Sequence, residues 1–162
     1  MIKSAYFASG CFWGTQYYLD KVDGVTATVV GYMGGDTSNP TYRDVSTGKT
    51  GHVEAVKIDY NPDKINYESL AKVFFESHDP TQAGGQGPDI GSQYLSKIFY
   101  SSEEEKGIAR DLINYLEQKG MKIATKLEPK TKFFPAEEYH QNYFEKIGQS
   151  PYCHIYKKLF DR

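Results

Sequence analysis

Short apolar runs with the alternation of strands, separated by segments with a helical period, predict a chain in which strands and helices follow one another. Residues 53–60 alternate apolar and polar side chains, and residues 25–32 are rich in β-branched side chains, so both predict strands. Leu70, Val73 and Phe74 have the spacing of one helix face and follow Asn66, a residue type that caps helices. The whole pattern predicts strands at 5–9, 25–32, 53–60, 93–101 and 124–127, and helices at 12–19, after Asn66, from Ser102 to 118 and at 136–147.

The order of these elements indicates the fold class. A βαββαβ run with both helices on one face of an antiparallel or mixed sheet is the ferredoxin-like split βαβ arrangement. We therefore predict an α+β fold, an α/β two-layer sandwich, with a ferredoxin-like βαββαβ core, extra C-terminal helices and an irregular tail. With 162 residues the chain is long enough for one domain, so residues 1–162 are expected to form a single unit with 148–162 as its tail.

Charge and hydropathy argue against several classes of protein. A formal net charge of -2 and a pI near 6.1 do not suit a nucleic-acid or anionic-membrane surface. No apolar stretch reaches the roughly 20 residues of a transmembrane helix, and the first residues lack the layout of a secretion signal. We therefore expect a cytoplasmic protein with no nucleic-acid and no membrane partner.

One of the two cysteines lies where a predicted strand passes into a predicted helix, in the sequence Gly10-Cys11-Phe12-Trp13-Gly14. The N-terminus of a helix lowers the pKa of a cysteine, and the two aromatic residues offer an apolar wall beside the sulfur. From these residues alone Cys11 is either a nucleophile or a small buried hydrophobic residue. The second cysteine, Cys153, is in the tail. The pair is no structural disulfide framework in a reducing compartment, although it could act as a transient catalytic pair.

Several other residues can carry chemistry. Glu54 begins a predicted strand, and a carboxyl group in an aromatic pocket has a raised pKa and can act as a general acid. The alternative for Glu54 is a solvated glutamate on an edge strand. Tyr42 and the pair Asp89 and Tyr94 lie in or beside two long glycine-rich loops, 33–51 and 79–92, where functional side chains often gather. Each tyrosine could equally be a packing residue, since the chain contains 14 of them.

A metal site is not predicted. Cys11, Cys153, His140 and His154 are potential ligands, but none has CxxC or HxxxH spacing. The sequence contains no serine-hydrolase fingerprint and no P-loop. The glycines at 31–35 lack the spacing of a dinucleotide-binding fingerprint. No metal and no cofactor is therefore expected.

Seven segments together resemble one known family, and they occur in the order of that family along almost the whole chain. The chain is similar to the A-type peptide-methionine sulfoxide reductases. The matching segments are 10–14, 31–35, 39–42, 51–56, 74–75 with 78–82, 89–94 and 136–141. Each segment alone is a weak signal, but seven in register are specific.

The resemblance implies a single catalytic domain that reduces the S epimer of methionine sulfoxide, free and in oxidised proteins, as a form of protein repair under oxidative stress. It also implies a two-layer α/β fold around a ferredoxin-like core, in agreement with the pattern. The implied reductant is thioredoxin, and a monomer is expected.

The resemblance also implies roles for individual residues. Cys11 is the implied nucleophile, Glu54 the acid that protonates the sulfoxide oxygen, and Tyr42 and Tyr94 the donors of hydrogen bonds to that oxygen. Attack by the thiolate leaves a sulfenic acid on Cys11, which condenses with a second thiol to form a disulfide. Cys153 is the only other thiol in the chain, so it must resolve the intermediate if resolution is internal.

Four further residues are assigned to substrate binding by the same resemblance. Phe12 and Trp13 are implied to form the pocket for the S-methyl group, and His140 to support the site. Asp89 is implied to contact the substrate backbone or the residues that do. The chain departs from the usual pattern at 83–85, where Ala-Gly-Gly replaces Leu-Asn-Arg, and at Leu95, where arginine is usual.

Two other functions are compatible with these residues. A thiol peroxidase would use the same two cysteines, although it would not explain the aromatic pocket or the glutamate. A non-catalytic binding module for methionine-like side chains would use the aromatic residues and leave Cys11 as a packing residue.

Overall fold

A central six-stranded sheet collects most of the predicted strands in the computed structural model, which describes residues 1–151 and 154–160. The strands are β1 Lys3–Ser9, β2 Val25–Met33, β3 Val53–Tyr60, β4 Gly85–Gln86, β5 Asp89–Ile90, β6 Ser96–Tyr100, β7 Lys126–Pro129 and β8 Phe134–Pro135. The α-helices are α1 Phe12–Asp20, α2 Tyr42–Ser46, α3 Tyr67–Glu76, α4 Glu103–Gln118 and α5 Tyr143–Ile147, and 3-10 turns form at Ser92–Tyr94 and Glu138–His140.

The strand order of the large sheet is β7-β6-β1-β3-β2-β8. Neighbouring strands are antiparallel except β6 and β7, which run parallel, so the sheet is mixed. β4 and β5 form a separate antiparallel hairpin. The predicted combination of one sheet with several helices is thus confirmed as a mixed α/β architecture around a central mixed sheet.

Both faces of the sheet are buried, but by different material. Along β1, Ala5 and Phe7 belong to the larger core, which is shared with helices α1, α3 and α4. Tyr6 and Ala8 alternate with them and belong to a smaller cluster against which Phe133 packs. The strict alternation follows from the two-residue period of a strand. Ala5 and Phe7 therefore lie on the face of the sheet that carries α1.

Local capping signals define the ends of two helices. The Asn66 side chain accepts a hydrogen bond from the Ser69 N–H (2.8 Å), as expected for the cap of α3. The Ser102 hydroxyl accepts from the Glu105 N–H (3.2 Å), so α4 begins where the pattern predicts. The Glu105 carboxylate, however, accepts from the N–H of Ser101 rather than from that of Ser102. α4 then ends before Gly120, whose φ of 92° lies in the left-handed region.

The predicted helix at 136–147 is wrong. The structure has a 3-10 turn there and then the short α5, separated by Asn142 with a φ of 55°. The cause is a contact with a distant part of the chain. The side-chain amide of Gln141 accepts from the Val30 N–H (2.9 Å) and donates to the Val30 carbonyl (3.0 Å), as a neighbouring strand would. Pairing with β2 therefore takes this segment out of a continuous helix.

Three smaller predictions also need correction. The predicted strand at 93–101 begins only at Ser96, because residues 92–94 form a 3-10 turn. The predicted loop at 33–51 contains helix α2, whose N-cap Thr41 forms a reciprocal capping box with Asp44. The last predicted strand, 124–127, lies at 126–129, where it pairs with β6.

The described part of the tail is irregular, as predicted, but it is firmly packed. The Glu76 side chain is fully buried at the end of α3 and accepts hydrogen bonds from the tail. The donors are the Tyr156 hydroxyl (2.7 Å), the Leu159 N–H (3.0 Å) and the Phe160 N–H (3.2 Å). Among the residues that the structure describes, no helix is both long and apolar enough to span a membrane.

Two buried histidines predict that the fold loses stability in mild acid. Burial lowers the pKa of His78 to about 3 and that of His154 to about 4, because a charged ring is disfavoured away from water. In the unfolded chain both rings return to the ordinary value of 6.5 and bind more protons than the folded protein does below that pH. We therefore expect the contribution of these two rings to stability to be complete above about pH 6.5 and to fall by about 1.4 kcal/mol per pH unit for each ring as the pH falls towards the folded-state values.

Urea unfolding at a series of pH values between about 7.5 and 4.5 measures this decline. His78→Gln removes one of the two rings. The stability of this variant should therefore fall less steeply with falling pH than that of the unchanged protein, by about 1.4 kcal/mol per pH unit. Equal slopes for the two proteins would contradict the prediction.

Candidate active site

Cys11 lies in a turn that only glycine permits. β1 ends at Ser9, and Gly10 reverses the chain with a φ of 90° before Cys11 caps the N-terminus of α1. A Cβ atom on Gly10 would lie 2.5 Å from the Cβ of Gln86, so the turn also needs the missing side chain. Gln86 is itself fixed, because its side-chain amide pairs with the N–H and the carbonyl of Asp79. Cys11 is thereby held at the N-cap position of α1, where its side chain makes no capping hydrogen bond, with 9% exposure.

Glu54 lies beside Cys11 and is almost completely buried. Its neighbours Val53 and Ala55 belong to the cluster on the opposite face of the sheet, so the Glu54 side chain is on the face that carries α1. Its Oε1 accepts a hydrogen bond from the N–H of Phe12 (3.1 Å), the residue after Cys11. The alternative of a solvated edge glutamate is wrong, because β3 lies between β1 and β2 and Glu54 is only 2% exposed.

Burial raises the pKa of Glu54 well above its ordinary value of 4.5. Negative charge on Cys11 raises this pKa further, the hydrogen bond from Phe12 N–H lowers it, and the nearby Asp89 adds a smaller upward effect. The balance favours the protonated carboxyl, which can give a proton to a bound group. Protonation also removes the repulsion between this carboxyl and a thiolate on Cys11.

Two phenols lie close to this carboxyl. Tyr42 is the first residue of α2, and Tyr94 is the last residue of the 3-10 turn before β6; their side chains lie close to each other. Burial raises the pKa of both hydroxyls, and charge on Glu54 raises it further. Both groups therefore keep their protons at neutral pH and can donate hydrogen bonds.

Aromatic side chains surround the residues after Cys11. The Phe12 ring lies 5.7 Å from the Tyr32 ring and 5.3 Å from the His140 ring, measured between centroids. Trp13 stacks on Tyr143 at 3.8 Å and donates its indole N–H to Nδ1 of His140 (3.1 Å). Because Nδ1 accepts, the proton of the neutral His140 ring is on Nε2. Burial lowers the pKa of His140, which favours that neutral ring.

Two polar atoms at this site have no hydrogen-bond partner among residues 1–151 and 154–160. They are Nε2 of His140 and Oδ2 of Asp89, and both atoms are buried. Burial raises the pKa of Asp89, while the nearby His154 lowers it. Buried polar atoms without a partner are unusual in a folded protein, and each needs an explanation, such as a role in catalysis.

The sequence does not indicate the role of His154, which is there only a potential metal ligand. Its ring is 2% exposed, and its Nε2 lies 2.6 Å from the carbonyl oxygen of Ser9, to which it donates. A Cβ atom on Gly14 would lie 2.3 Å from the His154 ring. The tail is therefore attached to the end of β1, two residues before Cys11. Its neighbour Cys153 lies outside the described residues.

The structure thus brings together the nucleophile candidate, the carboxyl, both phenols and the residues assigned to substrate binding. Those residues are Cys11, Glu54, Tyr42, Tyr94, Phe12, Trp13, Asp89 and His140. Within the described part of the chain, no group of three or more His, Cys, Asp or Glu side chains could hold a metal ion. A thiol beside an aromatic wall can attack a soft electrophile, and the protonated carboxyl next to it can protonate the oxygen that leaves.

Comparison with known proteins identifies the family. The family model for peptide methionine sulfoxide reductase matches residues 3–162. The chain is 50% identical over 163 residues to the peptide methionine sulfoxide reductase MsrA of Methanothermobacter thermautotrophicus, an alignment that covers 99% of this chain and 96% of that protein. The chain therefore belongs to the peptide methionine sulfoxide reductase family, and its relatives are of the MsrA type.

Solved structures agree with this assignment. The crystal structure of Mxr1 from Saccharomyces cerevisiae in reduced form superposes with a TM-score of 0.88 and 37% identity, over 96% of this chain and 92% of that one. Mxr1 in complex with Trx2 superposes with a TM-score of 0.64 and 26% identity, over 96% of this chain and 90% of that one.

The contact between Gly14 and His154 predicts that Gly14→Ala detaches the tail. The added methyl group cannot fit beside the buried ring, so we expect the variant to lose about 1–3 kcal/mol of stability. We also expect faster cleavage by trypsin after Lys157 and Lys158, which are exposed but held near α3 by the docked tail. Limited proteolysis followed by mass analysis measures this.

Gly107→Ala is the matched control, because Gly107 lies inside α4 and a Cβ there meets no atom within 4 Å. This control should be as resistant as the unchanged protein and more stable by up to about 1 kcal/mol. Cleavage of the tail at the same rate in both glycine variants would show that His154 does not hold it.

Proposed function

We propose that this protein reduces the S epimer of methionine sulfoxide, free and in oxidised proteins, to methionine, with Cys11 as the nucleophile. The protein is an oxidoreductase of the MsrA type by family. The observation that carries the proposal is the buried Glu54 carboxyl, hydrogen-bonded to the backbone N–H next to Cys11 with its protonated form favoured. A peroxidase or a passive binding module has no need of an acid in this position.

Sulfoxide reduction requires a soft nucleophile on sulfur and a proton on oxygen. In the proposed step the Cys11 thiolate attacks the sulfoxide sulfur, while Glu54 gives its proton to the sulfoxide oxygen. Tyr42 and Tyr94 donate hydrogen bonds to the same oxygen. The oxygen is transferred to the Cys11 sulfur, so that methionine leaves and Cys11 becomes a sulfenic acid. Methionine sulfur is reduced and Cys11 sulfur is oxidised by the same two electrons.

The aromatic residues after Cys11 account for substrate binding in this proposal. Phe12 and Trp13 form the pocket for the S-methyl group, and the hydrogen bond from Trp13 to His140 fixes the indole ring. Asp89 and His140 each have a buried polar atom without a described partner, and both atoms are available to the polar part of a substrate. An apolar wall with a few polar groups is the usual form of a small-molecule site.

Recycling of Cys11 uses the second thiol. The Cys153 thiol attacks the Cys11 sulfenic acid, a disulfide forms and water leaves. Thioredoxin then reduces this disulfide by thiol exchange. Two observations support the assignment: the homologous Mxr1 has been solved in complex with Trx2, and His154, next to Cys153, is fixed at the end of β1. In this proposal residues 1–162 act as one catalytic domain, and the tail 148–162 carries the resolving cysteine.

We also propose that the core of the sheet is ferredoxin-like. The four strands β6-β1-β3-β2 are neighbours in that order and all pair antiparallel, with α1 between β1 and β2 and α3 between β3 and β6. This supports a split βαβ core, to which β7 and β8 add one edge strand each. We further propose that the protein acts as a cytoplasmic monomer in the repair of oxidised proteins.

Single-turnover assays without reductant test the proposed reaction. We expect about one methionine per chain from the S epimer, since Cys11 can accept only one oxygen before it is recycled. We expect none from the R epimer. Thiol counting and intact mass should then show the loss of both thiols as a disulfide. If neither epimer released methionine, the proposal would be overturned and the peroxidase or the binding module would remain, which hydroperoxide turnover distinguishes.

Cys153→Ser is the control for the recycling step in the same assay. This variant should still release one methionine but should keep a sulfenic acid on Cys11 and stall with thioredoxin. Continued turnover by Cys153→Ser with thioredoxin would show that the reductant reaches Cys11 directly.

Glu54→Gln tests the acid. The amide cannot give the proton, so we expect the single-turnover rate to fall by at least about 100-fold, a typical contribution of general acid catalysis. In the unchanged protein, the pKa of Glu54 is raised, so the rate should fall as the pH rises through that pKa. The variant should lose this pH dependence.

Stability distinguishes a catalytic from a structural Glu54. A raised folded-state pKa means that the folded protein loses stability as the pH rises and this carboxyl ionises. Glu54→Gln removes that loss, so its thermal stability above neutral pH should equal or exceed that of the unchanged protein. Glu103→Gln, an exposed change at the start of α4, is the matched control and should leave the rate unchanged and lower the stability by no more than about 1 kcal/mol, through the lost charge at the helix N-terminus. A large loss of stability in Glu54→Gln would mark Glu54 as structural.

A further inference from the structure

Glu137 connects two residues of the site through its two carboxylate oxygens. Its Oε1 accepts a hydrogen bond from the Tyr32 hydroxyl (2.9 Å), and its Oε2 accepts one from the backbone N–H of Tyr42 (3.1 Å). The residue itself lies in the segment before the 3-10 turn that contains His140, and its carbonyl accepts from the His140 N–H (3.0 Å). Burial opposes its charge, but hydrogen bonds from Tyr42 and Tyr32 keep the pKa of Glu137 below its ordinary value. The ionised carboxylate is therefore the form that bridges these groups.

The backbone N–H of Tyr42 has this carboxylate as its hydrogen-bond partner. Tyr42 is the first residue of α2, a helix of five residues, and the N–H groups at the start of a helix have no partner inside the helix. The capping box of Thr41 and Asp44 satisfies the N–H groups of those two residues and leaves that of Tyr42 to Glu137. A helix of this length is not stable by itself, so its contacts decide where its side chains lie.

Tyr32, the other partner of the Glu137 carboxylate, is firmly held in the sheet. Tyr32 is fully buried on β2, with its ring against Phe12, and its register partner across the sheet is Glu54. Cross-strand partners of this kind lie side by side on one face. Glu137 thus links the backbone of Tyr42 to the strand pair that carries the acid.

We propose that Glu137 is a positioning residue for sulfoxide reduction, because it holds the backbone of Tyr42 against Tyr32 and so fixes the Tyr42 hydroxyl relative to the Glu54 carboxyl. The inference rests on the proposed function, since Tyr42 must donate to the sulfoxide oxygen for its position to matter. Glu137 acts through Tyr42 and does not touch the reacting atoms. Its effect is therefore expected on the chemical step and not on recycling by thioredoxin.

The hydrogen bonds also predict which substitution is tolerated. Glutamine at 137 can accept from the Tyr42 N–H with its oxygen and donate its amide N–H to the Tyr32 hydroxyl, which can rotate to accept. Alanine removes both hydrogen bonds. A positioning role therefore predicts that Glu137→Gln restores most of the rate that Glu137→Ala loses.

A double-mutant cycle in the single-turnover assay tests the proposal. We expect Glu137→Ala to lower the rate of methionine release by about tenfold, the scale of one lost hydrogen bond to an oriented group. In a Tyr42→Phe background the same change should lower the rate by less than about twofold, because there is no hydroxyl left to position. Glu138→Ala, an exposed change at the adjacent residue, is the matched control and should keep the full rate.

A readout independent of activity accompanies the cycle. Hydrogen exchange of the Tyr42 amide should be at least about tenfold faster in Glu137→Ala than in the unchanged protein and in Glu138→Ala. If Glu137→Ala fails to fold, Tyr32→Phe removes only the hydroxyl partner and should show the same non-additivity with Tyr42→Phe at a smaller scale.

The outcomes separate this inference from the proposed function. Absence of methionine release by the unchanged protein would overturn the proposed function itself. Release that is normal in Tyr42→Phe would overturn only the role of Tyr42 and, with it, that of Glu137. Equal losses from Glu137→Ala with and without the Tyr42 hydroxyl, or a Glu137→Gln variant as slow as Glu137→Ala, would overturn positioning and indicate a general structural or charge effect.

Discussion

The hydrogen bond from the Phe12 N–H to the Glu54 carboxyl joins the two parts of the molecule on which the proposed chemistry depends. It connects the turn that carries Cys11 to the middle of the sheet, across 42 positions of sequence. A carboxyl group this deeply buried is costly when ionised, so the surrounding fold determines its protonation. The sheet that buries Glu54 and the helix that begins at Phe12 therefore set its chemistry together. Removing either element would expose the acid to water and abolish its raised pKa.

Side chains that imitate backbone partners organise the rest of the site. The Gln141 amide pairs with Val30 as a strand would, and the Gln86 amide pairs with Asp79 in the same way. His52 accepts from the Gly35 N–H and donates to the Thr37 carbonyl, which fixes the glycine-rich loop after β2. Buried groups with full sets of hydrogen bonds make irregular segments as well defined as regular ones. The loops around Cys11 therefore hold their shape with very little regular secondary structure.

Local sequence patterns predicted those elements whose cause is local. The strand at 53–60 and the helix after Asn66 were predicted correctly, because strand alternation, helix spacing and a capping side chain act within a few residues. The helix at 136–147 was wrong, because Gln141 pairs with a strand more than 100 residues earlier in the chain. Likewise, no local signal indicates that Tyr94 ends a 3-10 turn and that β6 begins after it. Contacts between distant segments override intrinsic preference in both places.

For the candidate site, the residue types that are available can be taken from the sequence, which also predicts that Cys11 follows a glycine turn at the start of a helix. The family resemblance named residues that the structure brings together, apart from Cys153, which lies outside the described residues. The folded chain was needed to show which of the 21 acidic residues is buried beside the cysteine, and to show that Glu137 bridges Tyr32 and Tyr42. Burial and hydrogen bonding set a pKa and the direction of a hydroxyl group, and both are supplied by residues that lie far apart in the chain.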